Sequence, residues 1–366
     1  MRVLVSGGTG YVGSHVCVDL MEAGHEVIVV DNLVNSRNDV LERIASIVGR
    51  RPRFLCLDIR HAALLRAALR PYDFDGVIHL AGLESIEESM REPADYYRTN
   101  VSGTANVIEA AGDCPFVLSS SAAVYGNAAS SPIVEDQPIA PANPYGRSKY
   151  VAEMVVRDVV QARGSAGCVL RLFNTVGAHE SGRLGEDPRG APSDLMPLVA
   201  QVAVGVRERL GVHGNDYPTH DGTGVRDYLH VMDASRAHRL ALESLAHRHG
   251  VSVYNVGSGR GYSVLEVIDA FERATGQPVP YRIEDRRPGD VAEYWADASR
   301  ARDELGWAAD RDLPRICVDS LRWRRFWLDC LRPAAATSEP AALLATRSRE
   351  ARSRPRSRPR RPAAIL

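Results

Sequence analysis

The first thirteen residues constrain the fold more than any other stretch. Arg2 to Ser6 is a short apolar run that leads straight into Gly7-Gly8-Thr9-Gly10-Tyr11-Val12-Gly13, after which Val16, Leu20 and Met21 recur at helical spacing. That order reads strand, glycine turn, helix. Glycines at 7, 10 and 13 permit a tight turn, close backbone approach to a pyrophosphate and close helix packing, with the phosphates at the helix N-terminus. A glycine triplet alone is weak evidence, but here it has the strand before it and the helix after it that a dinucleotide site requires.

The chain then repeats the pattern. Glu26 to Val30 is a second apolar strand ending at Asp31, about 18 residues beyond Gly13, where a dinucleotide fold places its ribose-binding acid. A carboxylate there accepts from both ribose hydroxyls and repels a 2'-phosphate, so NAD is expected rather than NADP. A third strand, Arg53 to Leu57, ends in Asp58-Ile59, an adenine-edge contact beside an apolar wall. A fourth, Gly76 to Leu80, runs into Ala81-Gly82-Leu83, where small residues let the chain pass close to a cofactor. A helix is expected from Asp95 to Ala111, and a fifth strand from Pro115 to Ser119 terminates in Ser119-Ser120-Ser121. Hydroxyls at the carboxyl end of a parallel strand sit where ligands bind. Serines after strands are more often turn formers, and the residues themselves do not choose among the three. With a sixth strand from Cys168 to Leu172, the alternation implies a doubly wound parallel α/β sheet over residues 1–175.

Between the fifth and sixth strands lies Tyr145-Gly146-Arg147-Ser148-Lys149, opening a helix expected to run to about Ala162. Four residues apart, Tyr145 and Lys149 share one helix face. A phenol, with an ordinary pKa of about 10, is no base near neutrality unless a close cation favours its phenolate. Lys149 can be that cation, and it is the only lysine in the chain. An ammonium touches a phenol oxygen and ribose hydroxyls together in a way that a wider, planar guanidinium does not.

Beyond Asn174 the texture turns to Gly, Pro and charge, with an irregular stretch through Gly185-Glu186-Asp187-Pro188 of the kind that forms binding loops. Helices near 195–204, 233–246, 263–275 and 298–305 and strands near 225–231 and 252–256 suggest a smaller α/β substrate domain over 176–332. Arg226, Arg287 and Asp290 are its most suggestive polar residues, since guanidinium forks suit a diphosphate, although such residues singly are more often surface ion pairs. Residues 333–366, rich in Ala, Pro, Arg and Ser, are expected to be a disordered tail. The tail's eight Arg and two Glu give it +6, which leaves the body at −7 within a chain of −1. An acidic body argues against a nucleic-acid surface, while the tail could meet an anionic one. No apolar run reaches the roughly 20 residues that span a bilayer, and a strand beginning at Arg2 leaves no room for a signal peptide. No membrane insertion is expected, and the cytoplasm is the expected compartment. The cysteines at 17, 56, 114, 168, 317 and 330 form no Cys-x-x-Cys pair, so reduced packing residues and no metal are expected.

Taken in order, the glycine turn, Asp31, Asp58-Ile59, Ser119 to Ser121 and Tyr145-x-x-x-Lys149 resemble the extended short-chain dehydrogenase/reductase superfamily, which has a Rossmann fold. Within it the chain is most similar to the UDP-glucose 4-epimerase family. The resembling stretches are Asp31 to Ser36, Ser119 to Gly126, Met196 to Gly205, Gly214 to Asp233 and Tyr294 to Ser299, and Gly214 to Asp233 is specific to the epimerase branch. The resemblance implies that bound NAD takes a hydride from C4 of a UDP-hexose while Tyr145 removes the O4 proton. The 4-keto sugar turns over, and the hydride returns to its other face. UDP-galactose and UDP-glucose interconvert, which belongs to galactose metabolism, and a homodimer is the implied assembly.

The same resemblance implies a role for each site residue. Ser121 bonds O4, and Lys149 binds the nicotinamide ribose and lowers the Tyr145 pKa. Gly7, Gly10, Tyr11, Val12, Gly13, Asp31, Asn32, Asn35, Ser36, Asp58, Ile59, Leu80, Ala81, Gly82 and Phe173 form the cofactor shell. Asn174, Asp194, Leu195, His213, Arg226, Arg287 and Asp290 meet the nucleotide, and Tyr294 closes the hexose pocket. The sequence departs from the family pattern at four places: Glu84 replaces a lysine, Leu172 a tyrosine, Ser193-Asp194 paired asparagines, and His213 an aromatic near the uracil.

Other functions stay in view. A dehydratase of this superfamily carries an acid pair after its serine or threonine motif, and here that place is Ala122-Ala123. Another nucleotide-sugar epimerase, a decarboxylase or a net reductase lacks no group that the sequence identifies. A non-catalytic NAD-binding protein is argued against by Ser121, Tyr145 and Lys149, and for by Glu84 and Asp194.

Overall fold

Strand β1 (Arg2–Ser6) lies in the interior of a seven-stranded sheet, with its four residues Val3 to Ser6 buried. The computed structural model describes residues 1–331 apart from 129, 191, 193 and 288, so the expected tail from 333 lies outside the described residues. β2 (Glu26–Asp31) and β3 (Arg53–Cys56) extend the sheet on one side of β1, while β4 (Gly76–His79), β5 (Phe116–Ser121) and β6 (Ala166–Leu172) extend it on the other. Every pairing is parallel. The Val, Ile and Leu runs of these strands are what a sheet covered by helices on both faces requires. The order reverses between β1 and β4, and ligands bind at the carboxyl ends of strands flanking such a reversal.

Six of the seven strands stand where the sequence placed them, within about two residues. Next along the chain come β7 (Asn174–Val176), β8 (Leu210–His213), β9 (Val225–His230) and β10 (Gly250–Val256). β10 pairs with β6 and completes the seven-stranded sheet. The helix Val231–Ser244 likewise packs on the glycine-turn helix Tyr11–Glu22. Apolar patterning reveals that a strand near 252–256 exists, but not which edge it joins. β11 (Gly261–Ser263), β9 and β13 (Glu293–Tyr294) form a smaller sheet to which β7 adds, and β12 (Tyr281–Glu284) pairs with β8. The helices Leu195–Ala203, Val264–Thr275 and Leu313–Leu331 close a second core around Val199, Phe271 and Ile316. A capping box starts the middle one, Ser263 Oγ accepting from Glu266 N at 3.0 Å and Glu266 Oε2 from Ser263 N at 2.8 Å.

Two expectations are corrected. The helix expected from Asp95 to Ala111 is interrupted, with α-helix at Pro93–Tyr96, a π-turn at Tyr97–Ser102 and α-helix again at Gly103–Ala111. The wide turn contains Asn100, whose amide is held by the Leu83 backbone and Ser148, a demand that propensity does not register. The cysteines are all free, and Cys17, Cys168 and Cys317 are buried, but Cys56 and Cys330 are exposed.

Trp307 joins the later helices to the sheet's core. It is fully buried, and its indole donates to Asp233 O at 2.9 Å, while the Asp233 carboxylate accepts from Asp310 N, Arg311 N and Arg311 Nη1. Trp307→Ala is expected to lower unfolding stability by about 3–5 kcal/mol, read from the urea midpoint. A loss under about 1 kcal/mol would show that the surrounding core closes over the gap.

Candidate active site

The carboxyl ends of β1, β2, β4, β5 and β6 open onto a cleft of about 950 Å³ that also borders β8, β9 and β13. Its floor is the glycine turn. Gly7 has φ +76°, and a Cβ there would lie 2.5 Å from Ala81 N, so the turn and the end of β4 touch backbone to backbone. Gly13 is as tightly placed, since a Cβ would stand 2.0 Å from Gly7 O. The helix Tyr11–Glu22 begins at Gly10 with no side-chain cap and no acid in its first turn, which leaves its N–H groups and positive end facing the cleft. Tyr11 OH donates to Gly177 O at 2.7 Å, and burial, with the charges of Glu186 and Asp194, pushes this phenol up.

Asp31, at the end of β2, is pre-oriented by its own chain. Its carboxylate accepts from Thr9 N at 3.1 Å, Leu33 N at 2.9 Å and Ser36 Oγ at 3.4 Å. Asn32, Asn35, Ser36, Ile59, Leu80, Ala81, Gly82 and Phe173 all stand on the cleft wall, as do Tyr11 and Val12. Asp58 does not. Its carboxylate takes Arg60 and Asn32, and the Arg60 hydrogen bond holds it well below the usual carboxylate range. Leu57 and Ile59 make the wall there, and between them Asp58 accepts from Asn32 Nδ2 at 3.1 Å.

The helix Pro144–Arg163 delivers Tyr145 and Lys149. Asn143 caps it, accepting from Gly146 N at 2.8 Å, with Pro144 at the first helical position and Gly164 closing it in the left-handed region. Gly146 lets the helix press onto the turn after Ser121, since a Cβ would be 2.5 Å from Ala123 O. The three serines separate into three tasks that spacing could not assign. Ser119 O accepts from Lys149 Nζ at 2.8 Å, Ser120 Oγ turns away to Glu153 Oε1 at 2.5 Å, and Ser121 hydrogen-bonds Tyr145.

Burial raises Tyr145 well above the ordinary phenol range, and Glu84 and Asp194 push it the same way against the Ser121 bond. Burial pushes Lys149 down to about 8, opposed by Glu84 and Glu153. The Lys149 ammonium is bonded to Ser119 O at 2.8 Å, one helical turn from Tyr145.

The expected nucleotide contacts face the same cleft: Asn174, Asp194, Leu195, His213, Arg226, Arg287, Asp290 and Tyr294. Ser193 lies outside the described residues. Arg226 reaches Asp290 at 3.6 Å and Val225 O at 2.9 Å. His213 Nδ1 is 3.2 Å from Asp285 O. Tyr294 OH donates to Ala122 O, and its ring packs on Phe173 with centroids 5.7 Å apart.

Sequence reasoning gave no role to Glu186, Tyr217 and Tyr228, which also line the cleft. Glu186 is pushed up to about 8 by burial, with Asp194 and Glu84 adding to it. Glu84 is exposed on the cleft wall, and loss of water around its carboxyl raises it against the pull of Lys149. The Tyr217 hydroxyl is buried with no hydrogen-bond partner among the described residues, while Arg286 lies 4.1 Å over its ring. None of these carries a spacing signature, because each depends on which loop folds over the cleft. Among the described residues no group of three or more His, Cys, Asp or Glu is placed to hold a metal ion.

The comparisons agree with this geometry. Residues 4–319 match the family model described as GDP-mannose 4,6 dehydratase. A UDP-glucose 4-epimerase of Bacillus subtilis is 48% identical over 328 residues, covering 88% of this chain and 97% of its own, and the Homo sapiens UDP-glucose 4-epimerase is 46% identical over 335 residues, with 88% and 96% covered. Among solved structures, the UDP-glucose-4-epimerase of Stenotrophomonas maltophila with bound NAD and formylated UDP-arabinopyranose superposes with a TM-score of 0.88 at 46% identity, covering 90% of this chain and 99% of that one. The Bifidobacterium longum UDP-glucose 4-epimerase in complex with NAD+ and UDP gives 0.85 at 44% identity, with 89% and 98% covered. With the cleft, the serine strand and the Tyr145 helix in this arrangement, the chain belongs to the UDP-glucose 4-epimerase family of extended short-chain dehydrogenases/reductases.

Proposed function

We propose that the protein is an isomerase, a UDP-glucose 4-epimerase that interconverts UDP-galactose and UDP-glucose with NAD held in its cleft. The observation that carries this reading is that Ser121, Tyr145 and Lys149 meet at the end of β5 and face the same cleft as the glycine turn and Arg226. The free helix N-terminus, the close-backed glycines and the pre-oriented Asp31 fit NAD, with Gly82 leaving room beside Lys149. When bound, NAD takes up the C4 hydride and returns it, and its oxidised ring brings a positive charge into the cleft.

The protein's own part is to move one proton and to hold the sugar. Tyr145 accepts the O4 proton and gives it back, so proton and redox balances both close to zero over a turnover. Burial, with Glu84 and Asp194 adding to it, favours the neutral phenol of Tyr145, and positive charge would favour its phenolate. Ser121 holds the oxygen between the two states, and Lys149 supplies the fixed cation. Arg226 and Arg287 present guanidinium groups to the substrate diphosphate.

Elimination of water is disfavoured at this site. Where a proton donor would be needed, Ala122 and Ala123 have none, and Ala122 O is taken by Tyr294. Residues 1–175 would then hold mainly the cofactor and 176–332 mainly the nucleotide sugar. Among the described residues no helix is long and apolar enough to cross a membrane. A cytoplasmic homodimer, with the basic tail free to meet an anionic surface, completes the proposal.

Three measurements test it. Incubated with UDP-galactose and no added cofactor, the protein should yield UDP-glucose, while Tyr145→Phe loses at least about 100-fold in rate and keeps its bound NAD. Unchanged turnover in that variant would remove Tyr145 as the base. With Lys149 at about 8, the ammonium is present below that pH and lost above it, so kcat/KM should fall as pH rises through about 8. Lys149→Arg should lower the rate through its shape and also abolish that limb, since arginine stays charged; a limb that persists belongs to another group. Glu84 places an anion where a cation would favour a diphosphate, so Glu84→Lys should raise the fraction of purified protein carrying nicotinamide, assayed after acid release. Equal, full occupancy in both proteins would show that the cofactor does not feel this charge.

A further inference from the structure

Tyr145 and Lys149 are followed, at the same interval of four, by Glu153, which continues their helix face one turn deeper. Glu153 and Arg171 of β6 are both buried, at 1% and 3% exposed, and form an ion pair with two hydrogen bonds, Arg171 Nη2 to Glu153 Oε2 at 2.8 Å and Nε to Oε1 at 3.1 Å. Glu153 Oε1 also accepts from Ser120 Oγ at 2.5 Å. Arg171 Nη1 donates to Tyr125 OH at 2.9 Å and to Glu135 O at 3.2 Å, and Tyr125 OH donates to Asn255 Oδ1 on β10 at 2.7 Å. One buried pair thus ties together the Tyr145 helix, β5, the turn after Ser121, β6 and β10. Its point of attachment on β5 is Ser120, between the serine whose carbonyl holds Lys149 and the serine that bonds Tyr145.

A buried ion pair is often no more stabilising than packed apolar residues of the same size, so stability alone is a weak account of this one. We propose that Glu153 is a positioning residue for the Tyr145 and Lys149 pair. Clamped by Arg171, it fixes the helix against the serine strand through Ser120 and gives the Lys149 ammonium a buried negative charge to face along its own helix. The inference rests on the epimerase reading of the site.

The groups that face Lys149 are few. Glu84 meets it from the loop after β4 and Glu153 from its own helix, both favouring the ammonium. His79 on β4 and His238 on the helix Val231–Ser244 are held neutral by burial, pushed down to about 3 and about 4, and so lend no charge at neutral pH. Tyr145, raised as a phenol, is likewise uncharged. Without Glu153, only Glu84 opposes burial, and Lys149 must lose its proton at lower pH.

Because Lys149 is the only lysine, selective ¹³C labelling of lysine gives one Cε resonance, and its titration reads this group in the full chain whether or not turnover is measured. The midpoint is expected near 8 in the parent and roughly one unit lower in Glu153→Gln, where a nearby opposite charge has been removed. The alkaline limb of kcat/KM should move with it. Glu153→Asp, which keeps the charge, should restore both. If Glu153→Gln leaves Arg171 unpaired and fails to fold, the double variant Glu153→Gln/Arg171→Gln removes both charges and, Glu153 being the nearer to Lys149 along the helix, should show a midpoint lowered by less than in the single variant. A midpoint and limb in the Gln variants that coincide with the parent's, whatever their melting temperature, overturn the proposal and reduce the pair to a structural one. Absence of epimerisation in the parent rejects the reading of the site instead, and the lysine titration still decides what Glu153 does.

Discussion

Keeping an ammonium inside the protein is the constraint around which the cleft is organised. Burial disfavours the charged form of Lys149, and what opposes it is local and specific: a carbonyl at the end of β5, a carboxylate across the loop after β4 and another one turn along its own helix. Each requires a particular chain path. The carbonyl requires β5 to carry Ser119 beside the helix Pro144–Arg163. Close approach of the helix requires Gly146, since any side chain there would meet Ala123 O. The π-turn has the same cause at one remove, because Asn100 must hold both the Leu83 backbone and Ser148, the residue beside Lys149.

The sheet was legible because its signal is local. A buried parallel strand is a run of Val, Ile and Leu ended by Gly, Asp or Ser, and six such runs could be found one at a time. The glycine turn, Asp31 and the Tyr145 and Lys149 pair were legible for the same reason, each being a spacing within one element. What could not be read depends on distant partners. β10 looks like any short apolar strand, and only its pairing with β6 places it in the main sheet. Asp58 has the right type at the right strand end, but its bonds to Arg60 and Asn32 carry no spacing signal. Ser119, Ser120 and Ser121 are chemically identical, and the alternation of a strand together with the packing of one helix gives each a different partner.

Electrostatics was the least legible layer. The body carries a net −7, and at the cleft this takes the form of Glu84, Glu186 and Asp194 on its walls, none with an ion-pair partner among the described residues. A cleft fitted to an NAD diphosphate and a sugar-nucleotide diphosphate must overcome that field with the helix N-terminus at Gly10 and with Arg226 and Arg287. Burial, with Asp194 and Glu84 adding to it, pushes Glu186 up to about 8, and burial raises Glu84 and Asp194 as well, the latter against Arg287.

The same field bears on why the reaction is reversible at one carbon rather than committed to elimination. Burial above all, with Glu84 and Asp194 adding to it, favours the neutral phenol of Tyr145, so a phenolate there would need positive charge close by. The glycine turn and Asp31 would hold NAD, whose oxidised ring would supply that charge and take up the hydride, while Tyr145 holds the O4 proton and Ser121 and Lys149 stand beside it. With alanines at 122 and 123, no second acid stands after Ser121 to protonate a leaving hydroxyl, so the path left open to the keto sugar is reduction from one face or the other.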